Sequence, residues 1–167
     1  MIIRKAKIEE ADRVAELFDL ARRGMASQGI DQWQGATPNK ESFLSDYEKA
    51  YATVCEENGK VIAYCALVLG DDPTYYHIDG AWKTDNKEYG ILHRVTTDPE
   101  YRGRGIASAF MNYCFEKCRE AGLTSCRIDT HKDNLGMQHT ILKNGYEYCG
   151  IIIIDDGTER LAYEKLL

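Results

Sequence analysis

The sequence predicts a mixed α/β fold: a mostly antiparallel central sheet flanked by helices, with elements in the order β-α-α-β-β-β-α-β-α-β-β. Three observations predict it. Stretches with apolar residues at helical spacing alternate with shorter strand-like runs. An Asn58-Gly59 pair joins two such runs, the strongest short hairpin signal. A further strand leads through a glycine turn at Arg102 to Ala107 into a helix. The length of 167 residues suits one domain spanning 1–167, with a single cleft.

Ile2 to Lys7 alternates weakly, as an edge strand does, and from Ile8 the apolar positions Ala11, Val14, Ala15, Phe18 and Ala21 recur with helical spacing until Gly24. Gly24 to Asn39 is polar and glycine-bearing, so a long loop is expected before Pro38-Asn39-Lys40-Glu41 opens a short helix ending near Lys49. Ala52 to Glu57 and Lys60 to Leu69 are the antiparallel strands around Asn58-Gly59. Gly70 to Tyr89, rich in Asp, Tyr and Gly, has no period and reads as a long surface excursion with short strand content at Tyr75 to Ile78. Gly90 to Thr97 is a strand and Asp98 to Arg102 a turn. Gly105 to Ala121 is a helix with Ile106, Ala109, Phe110, Tyr113, Cys114 and Cys118 on one side and Gly122 as C-cap. Cys126 to Thr130 is a strand, Asn134 to Asn144 a helix ended by Gly145, and Tyr146 to Ile154 and Arg160 to Leu166 are the terminal strands.

Apolar residues make up 44% and charged residues 29%, the composition of a globular chain that folds unaided. A net charge of -6 without any long Lys/Arg cluster repels polyanions, so nucleic acid is not expected as a partner. The longest near-apolar runs, Val61 to Leu69 and Ile151 to Ile154, are too short to cross a bilayer, and the first residues lack a signal-peptide plan. A cytoplasmic location without a membrane partner is therefore expected, and the six cysteines read as reduced thiols. Cys114 and Cys118 lie four apart on a helix, but no nearby Cys or His pair completes a tetrahedral set, so no metal is expected.

Arg102-Gly103-Arg104-Gly105-Ile106-Ala107 lies where backbone N–H groups converge with the positive end of a helix dipole. Gly103 and Gly105 carry no side chain, so a phosphate can reach the main chain, while Arg102 and Arg104 add mobile positive charge. The pattern suits a pyrophosphate; it also suits a turn that merely starts a helix. A Walker loop does not fit, because no Lys-Ser/Thr follows the second glycine, and a first Rossmann turn does not fit a position past mid-chain. A nucleotide-phosphate hydrolase would need a Lys and a metal-binding acid that the loop lacks.

These residues resemble the GCN5-related N-acetyltransferase (GNAT) superfamily, whose signature Gln/Arg-x-x-Gly-x-Gly/Ala is met by Arg102, Gly105 and Ala107. The resemblance spans nearly the whole chain: the strand Leu92 to Thr97, the turn Asp98-Pro99-Glu100-Tyr101 and the Asn134 to Tyr146 helix ending in Gly145-Tyr146 all look like family segments. It implies a GNAT-like fold and an acyltransferase that passes an acetyl group from acetyl-CoA, its co-substrate, to a primary amine of a small molecule. A protein N-terminus or lysine is the alternative acceptor, a non-catalytic acyl-CoA sensor or interaction module is the alternative function, and a homodimer stays open. The resemblance places Arg102, Gly103, Arg104, Gly105, Ile106, Ala107 and Ser108 around the pyrophosphate, with the backbone amides of about Arg104 to Ser108 holding it. It also implies that Val95, Thr96 and Thr97 hydrogen-bond the pantetheine arm through main-chain groups, and that Asn134 contacts the cofactor near its thiol end.

Acetyl transfer needs a neutral amine, a polarised thioester carbonyl and a thiolate able to leave. An alkyl amine with a pKa of about 10.4 must first lose a proton. His93 is the first candidate to take it: strand alternation puts His93, Val95 and Thr97 on one face, and the similar arylalkylamine acetyltransferases carry a histidine there in the proton path. A hydrogen-bonded core histidine is the competing reading, and Arg94, on the other face, reads as structural. Many family members place a tyrosine acid four residues before the Gly-aromatic pair; here that position is Ile141. Tyr146 and Tyr148 are left as substitutes, or as half-buried packing residues. For the acceptor, Trp33 offers an apolar wall with polar handles at Gln32 and Gln34, and Asp71, Asp72, Asp79 and Asp85 around Trp82 offer carboxylates for an ammonium. The competing reading makes Trp33 a plug at the end of the first helix and the aspartates solvated loop residues.

Overall fold

The computed structural model describes residues 1–167. The elements are β1 (Ile2–Lys5), α1 (Ala11–Ser27), α2 (Lys40–Glu48), β2 (Ala52–Glu57), β3 (Lys60–Gly70), β4 (Asp79–Gly80), β5 (Tyr89–Thr97), α3 (Ile106–Glu120), β6 (Ser125–Thr130), α4 (Leu135–Lys143), β7 (Glu147–Ile153) and β8 (Glu159–Leu166). This is the predicted order with one addition, the two-residue β4 inside the Gly70 to Tyr89 excursion. The strand content expected at Tyr75 to Ile78 is not formed. Pro73 and the Asp72 side chain, which accepts from the Thr74 N–H at 2.9 Å, start a 3-10 turn at Pro73–Tyr75 instead.

Contacts divide the chain into two compact units, residues 1–67 with 93–110 and residues 68–92 with 111–167. The chain passes from one to the other inside β3, β5 and α3.

In the first unit β1 pairs antiparallel with β2, and β2 with β3. The hairpin between β2 and β3 turns through Asn58 and Gly59, both with positive φ, as an Asn-Gly turn requires. The amphipathic α1 lays Val14, Leu17 and Phe18 against Phe43 of α2 and against Val54 and Tyr64 of the strands, all fully buried. Asn39 caps α2, its side chain accepting from the Ser42 N–H at 3.0 Å. Helix α1 runs past the expected end at Gly24 to Ser27. A Cβ on Gly24 would come within 2.8 Å of the Arg102 guanidinium, so this glycine makes room for an arginine rather than ending a helix.

In the second unit β6 pairs with β8 (Arg127↔Glu164), β8 with β7 (Tyr148↔Tyr163) and β7 with β4 (Gly150↔Gly80), all antiparallel. The first residues of β5 run parallel to β6, Gly90 opposite Cys126 and Ile91 opposite Arg127. Gly80 and Gly150 approach so closely that a Cβ on either would lie 2.2 Å from a backbone oxygen of the other strand.

The Gly70 to Tyr89 excursion runs over the surface, as expected, but it is anchored. Tyr75 and Tyr89 are buried, and the Trp82 indole donates to the Tyr75 carbonyl at 3.0 Å. Glu164, fully buried, accepts from the backbone N–H groups of Lys83 (2.6 Å) and Thr84 (3.2 Å) and from the Thr84 hydroxyl (2.6 Å). The Arg127 guanidinium lies between Tyr89 and Trp82, 3.9 and 4.3 Å from the ring centres, and its Nε donates to Glu164 at 3.2 Å. A buried carboxylate with this many donors ties the excursion to β6 and β8.

Candidate active site

The predicted phosphate loop follows β5 in the first unit. Asp98 starts the turn. Its N–H donates to the Ile62 carbonyl at 2.9 Å and its carboxylate accepts from the Glu100 N–H at 3.0 Å, from Arg13 and from Lys60 at 3.3 Å. Burial pushes the Asp98 carboxyl up, but the Glu100 N–H and the Arg13 and Lys60 side chains outweigh it and hold the group below its ordinary range.

Gly103 and Gly105 then take left-handed φ values of 76° and 77°, and a Cβ on either would have nothing within 4 Å. The space in front of the turn is therefore open. The Gly105 carbonyl accepts the first helical bond, from Ala109 at 2.9 Å, and the Ile106 and Ala107 amides lie in the first turn of α3, which has no intrahelical acceptor for them. An open, side-chain-free turn feeding a helix N-terminus fits a pyrophosphate. Of the two arginines expected to add mobile charge, one is paired. Arg104 makes two bonds to Glu57 at 2.8 and 2.9 Å, and the Arg102 guanidinium lies against Gly24 of α1. Glu57 thus neutralises one of the two cations, and the main-chain amides carry much of the field at the turn.

In β5, Thr96 is buried with its hydroxyl donating to the Leu17 carbonyl of α1 at 3.4 Å, and Arg94 pairs through two nitrogens with Asp46 of α2. Asp46 is only 3% exposed and also accepts from the Tyr64 hydroxyl at 2.6 Å. Arg94 and Thr96 thus face α1 and α2, and the neighbouring His93, Val95 and Thr97 are half-buried. Arg94 has φ 55°, a left-handed value that costs a non-glycine residue strain and kinks the strand beside His93. Sequence reasoning saw Arg94 as structural but missed Asp46, which lies 48 residues from Arg94 and 18 from Tyr64.

The remaining candidates fall as follows. Asn134 caps α4, its side chain accepting from the Met137 N–H at 3.2 Å. Tyr146 is buried against Phe115 with rings 5.6 Å apart, and its hydroxyl has no hydrogen-bond partner. Burial first, then the thiols of Cys126, Cys114 and Cys118, push that phenol well above its ordinary pKa, so its geometry is that of a packing residue. Tyr148 is 52% exposed on β7, edge-on to Tyr163. Ile141 is fully buried.

Trp33 packs edge-on to Phe18 at 6.2 Å, and its carbonyl accepts from Arg22 at 2.9 Å. The Gln34 amide donates to the Arg22 carbonyl at 3.1 Å and the Gln32 carbonyl at 2.9 Å. Both residues tie the end of α1 to the segment that follows. In the second unit a groove of about 640 Å³ is walled by Tyr75, Tyr76, Trp82 and Tyr89, with Asp71 and Asp85 in its lining. Asp72 caps the 3-10 turn, and Asp79 belongs to β4. Sequence reasoning also passed over His131, at the end of β6. It is buried, its Nδ1 accepts from the Asp133 N–H at 3.2 Å, and the preceding Thr130 hydroxyl is buried without a partner.

Comparison with known proteins adds an independent line. Residues 14–146 match the family model described as the acetyltransferase (GNAT) family. A GNAT-family acetyltransferase structure from Streptococcus agalactiae superposes with a TM-score of 0.91 at 37% identity, covering 99% of this chain and 95% of that one. The protein yncA of Salmonella typhimurium, whose structure was solved with acetyl-CoA, shares the fold with a TM-score of 0.72 at 17% identity, over 100% of this chain and 94% of that one. An uncharacterized N-acetyltransferase of Methanocaldococcus jannaschii is 24% identical over 147 residues, 87% of this chain, and the chain spans 60% of that relative's length. No helix of the structure is long and apolar enough to cross a membrane. A family model over most of the chain and a relative alike along nearly its whole length agree with the strand, turn and helix just described: the chain belongs to the acetyltransferase (GNAT) family, whose acyltransferases use acetyl-CoA.

Proposed function

We propose that the chain is an N-acetyltransferase that moves the acetyl group of acetyl-CoA to the primary amine of a small molecule, with 1–167 acting as one domain. The observation that carries this reading is the turn at Gly103 and Gly105, left-handed at both glycines and open in front, at the N-terminus of α3. Bound there, acetyl-CoA supplies the activated acetyl group and a thiolate that leaves readily. The amides of 104–108 hold the pyrophosphate, main-chain groups of Val95 to Thr97 align the pantetheine arm, and Asn134 meets its thiol end. His93, half-buried beside the Arg94 kink, takes the proton from the incoming ammonium, directly or through water. Of the two tyrosines, Tyr148 has the exposure an acid needs.

For the acceptor, the net charge of -6 favours an amine with an apolar body, for which the aromatic groove offers Asp71 and Asp85, with Lys87 and Arg127 also in its lining. Trp33, braced on Phe18, and Gln34 are proposed to shape the acceptor side of the first unit. Six free, buried cysteines fit a reducing, cytoplasmic setting.

The test is thiol release from acetyl-CoA by the pure protein, with a panel of aliphatic, aromatic and acidic amines and a peptide with a free N-terminus. Release with a small amine is expected, falling about 10²- to 10⁴-fold in His93→Ala, the usual contribution of a positioned base. Release with the peptide alone would overturn the acceptor class. Binding of acetyl-CoA without release for any amine would make the protein a sensor.

A further inference from the structure

Three of the six cysteines converge in the second unit. Cys114 and Cys118 sit one turn apart on α3 and Cys126 on β6, and all three are fully buried. The Cys126 sulfur is 3.3 Å from that of Cys118 and 3.9 Å from that of Cys114, and the three lie within 4.8 Å of one another. The point equidistant from such a triangle's corners is about 2.0–2.4 Å from each, close to a metal–thiolate bond of about 2.3 Å.

Gly90 of β5 adds an independent observation. A Cβ built there would lie 2.2 Å from the Cys118 sulfur, 2.9 Å from Cys126 and 3.0 Å from Cys114. Gly90 is not among the glycines with positive φ, so the backbone does not demand a glycine; the space does. The three sulfurs occupy the space a side chain would take, so a glycine here is what lets them close up on β5.

We propose that Cys114, Cys118 and Cys126 form a three-thiolate site for a trivalent thiophilic ion of the arsenous type, with Gly90 letting the three sulfurs gather against β5. Charge selects the class. In a buried, apolar layer an uncompensated charge is costly, and three thiolates cancel a trivalent centre, whereas a divalent ion would leave one negative charge and a monovalent ion two. The group also supplies three donors and no fourth, which suits a three-coordinate centre and not tetrahedral zinc. Arsenous acid would react by condensation: three arsenic–sulfur bonds form, three arsenic–oxygen bonds break, and each thiol proton leaves with a hydroxide as water. No element changes oxidation state, and no net charge is buried.

The experiment titrates the reduced full-length chain with arsenous acid and reads native mass spectra and the melting temperature. One arsenic per chain with loss of three waters, and a higher melting temperature, are expected. Binding should weaken at least tenfold in Cys118→Ala and Cys126→Ala and persist in Cys65→Ala, whose thiol is buried outside the cluster. The proposal fails if the folded wild type forms no adduct, if the adduct survives in Cys118→Ala, or if cadmium binds more tightly than arsenous acid. Should the alanine variants not fold, the wild-type adduct, its stoichiometry and the cadmium comparison still decide.

Discussion

Gly105 and Gly122 flank α3 with nearly the same backbone, φ 77° and 74°, and neither has an atom within 4 Å of where a Cβ would sit. Alanine at either position should therefore cost a similar amount, about 1–2 kcal/mol of left-handed strain, visible in the melting temperature. Only Gly105→Ala should also weaken acetyl-CoA binding, by tenfold or more in calorimetry, because only that side chain enters the space before the amides of α3. Equal affinities in the two variants would remove the turn from the binding site. The spacing of Gly103 and Gly105 made this turn legible in the sequence. The partner of Arg104 was not legible, since Glu57 lies far away in the chain. The depth of Tyr146 was not legible for a related reason: its place after Gly145 indicated a strand residue, while its burial depends on Phe115 of α3.

At the level of elements, the kink of β5 is held from α2. Removing the Asp46 carboxylate would leave Arg94 unpaired and the buried Tyr64 hydroxyl without its acceptor, so Asp46→Ala should destabilise by about 3–5 kcal/mol in denaturant melts. At temperatures where Asp46→Ala is still folded, its turnover should fall more than its acetyl-CoA affinity, because the kink adjoins His93. A change in affinity alone would break the link between kink and base.

The turn after β5 carries a pH signature. Asp98 titrates below its ordinary value in the folded chain, so its stabilisation is complete above the unfolded carboxylate pKa of about 3.9 and is lost as pH falls through the lower folded value. Melting temperature should drop below about pH 4, and Asp98→Asn should flatten that drop. A variant with the wild-type acid slope would assign the loss to other carboxylates. Helices and the Asn58-Gly59 hairpin were readable because their signals are local. The anchoring of the Gly70 to Tyr89 excursion was not, because its polar composition conceals anchors, Arg127 and Glu164, that belong to strands much later in the chain.

For the whole molecule, the chain crosses between its two units at 67/68, 92/93 and 110/111, each time within a regular element. Neither unit is a continuous stretch, so calorimetry should show one unfolding transition with equal calorimetric and van't Hoff enthalpies. Two separated transitions would show that each unit holds its structure alone. Strand β4, only two residues long, would ordinarily be free to slip along β7. Its Gly80 faces Gly150, and each lacks the atom that would strike the other's main chain. The pair works as a key: a slip of one residue would bring the Cβ of Asp79, Ala81, Cys149 or Ile151 to a spot shaped for a hydrogen atom. Since each forbidden side chain would collide with backbone, a change at one glycine admits no compensating change at the other, and the two positions are constrained to stay glycine together.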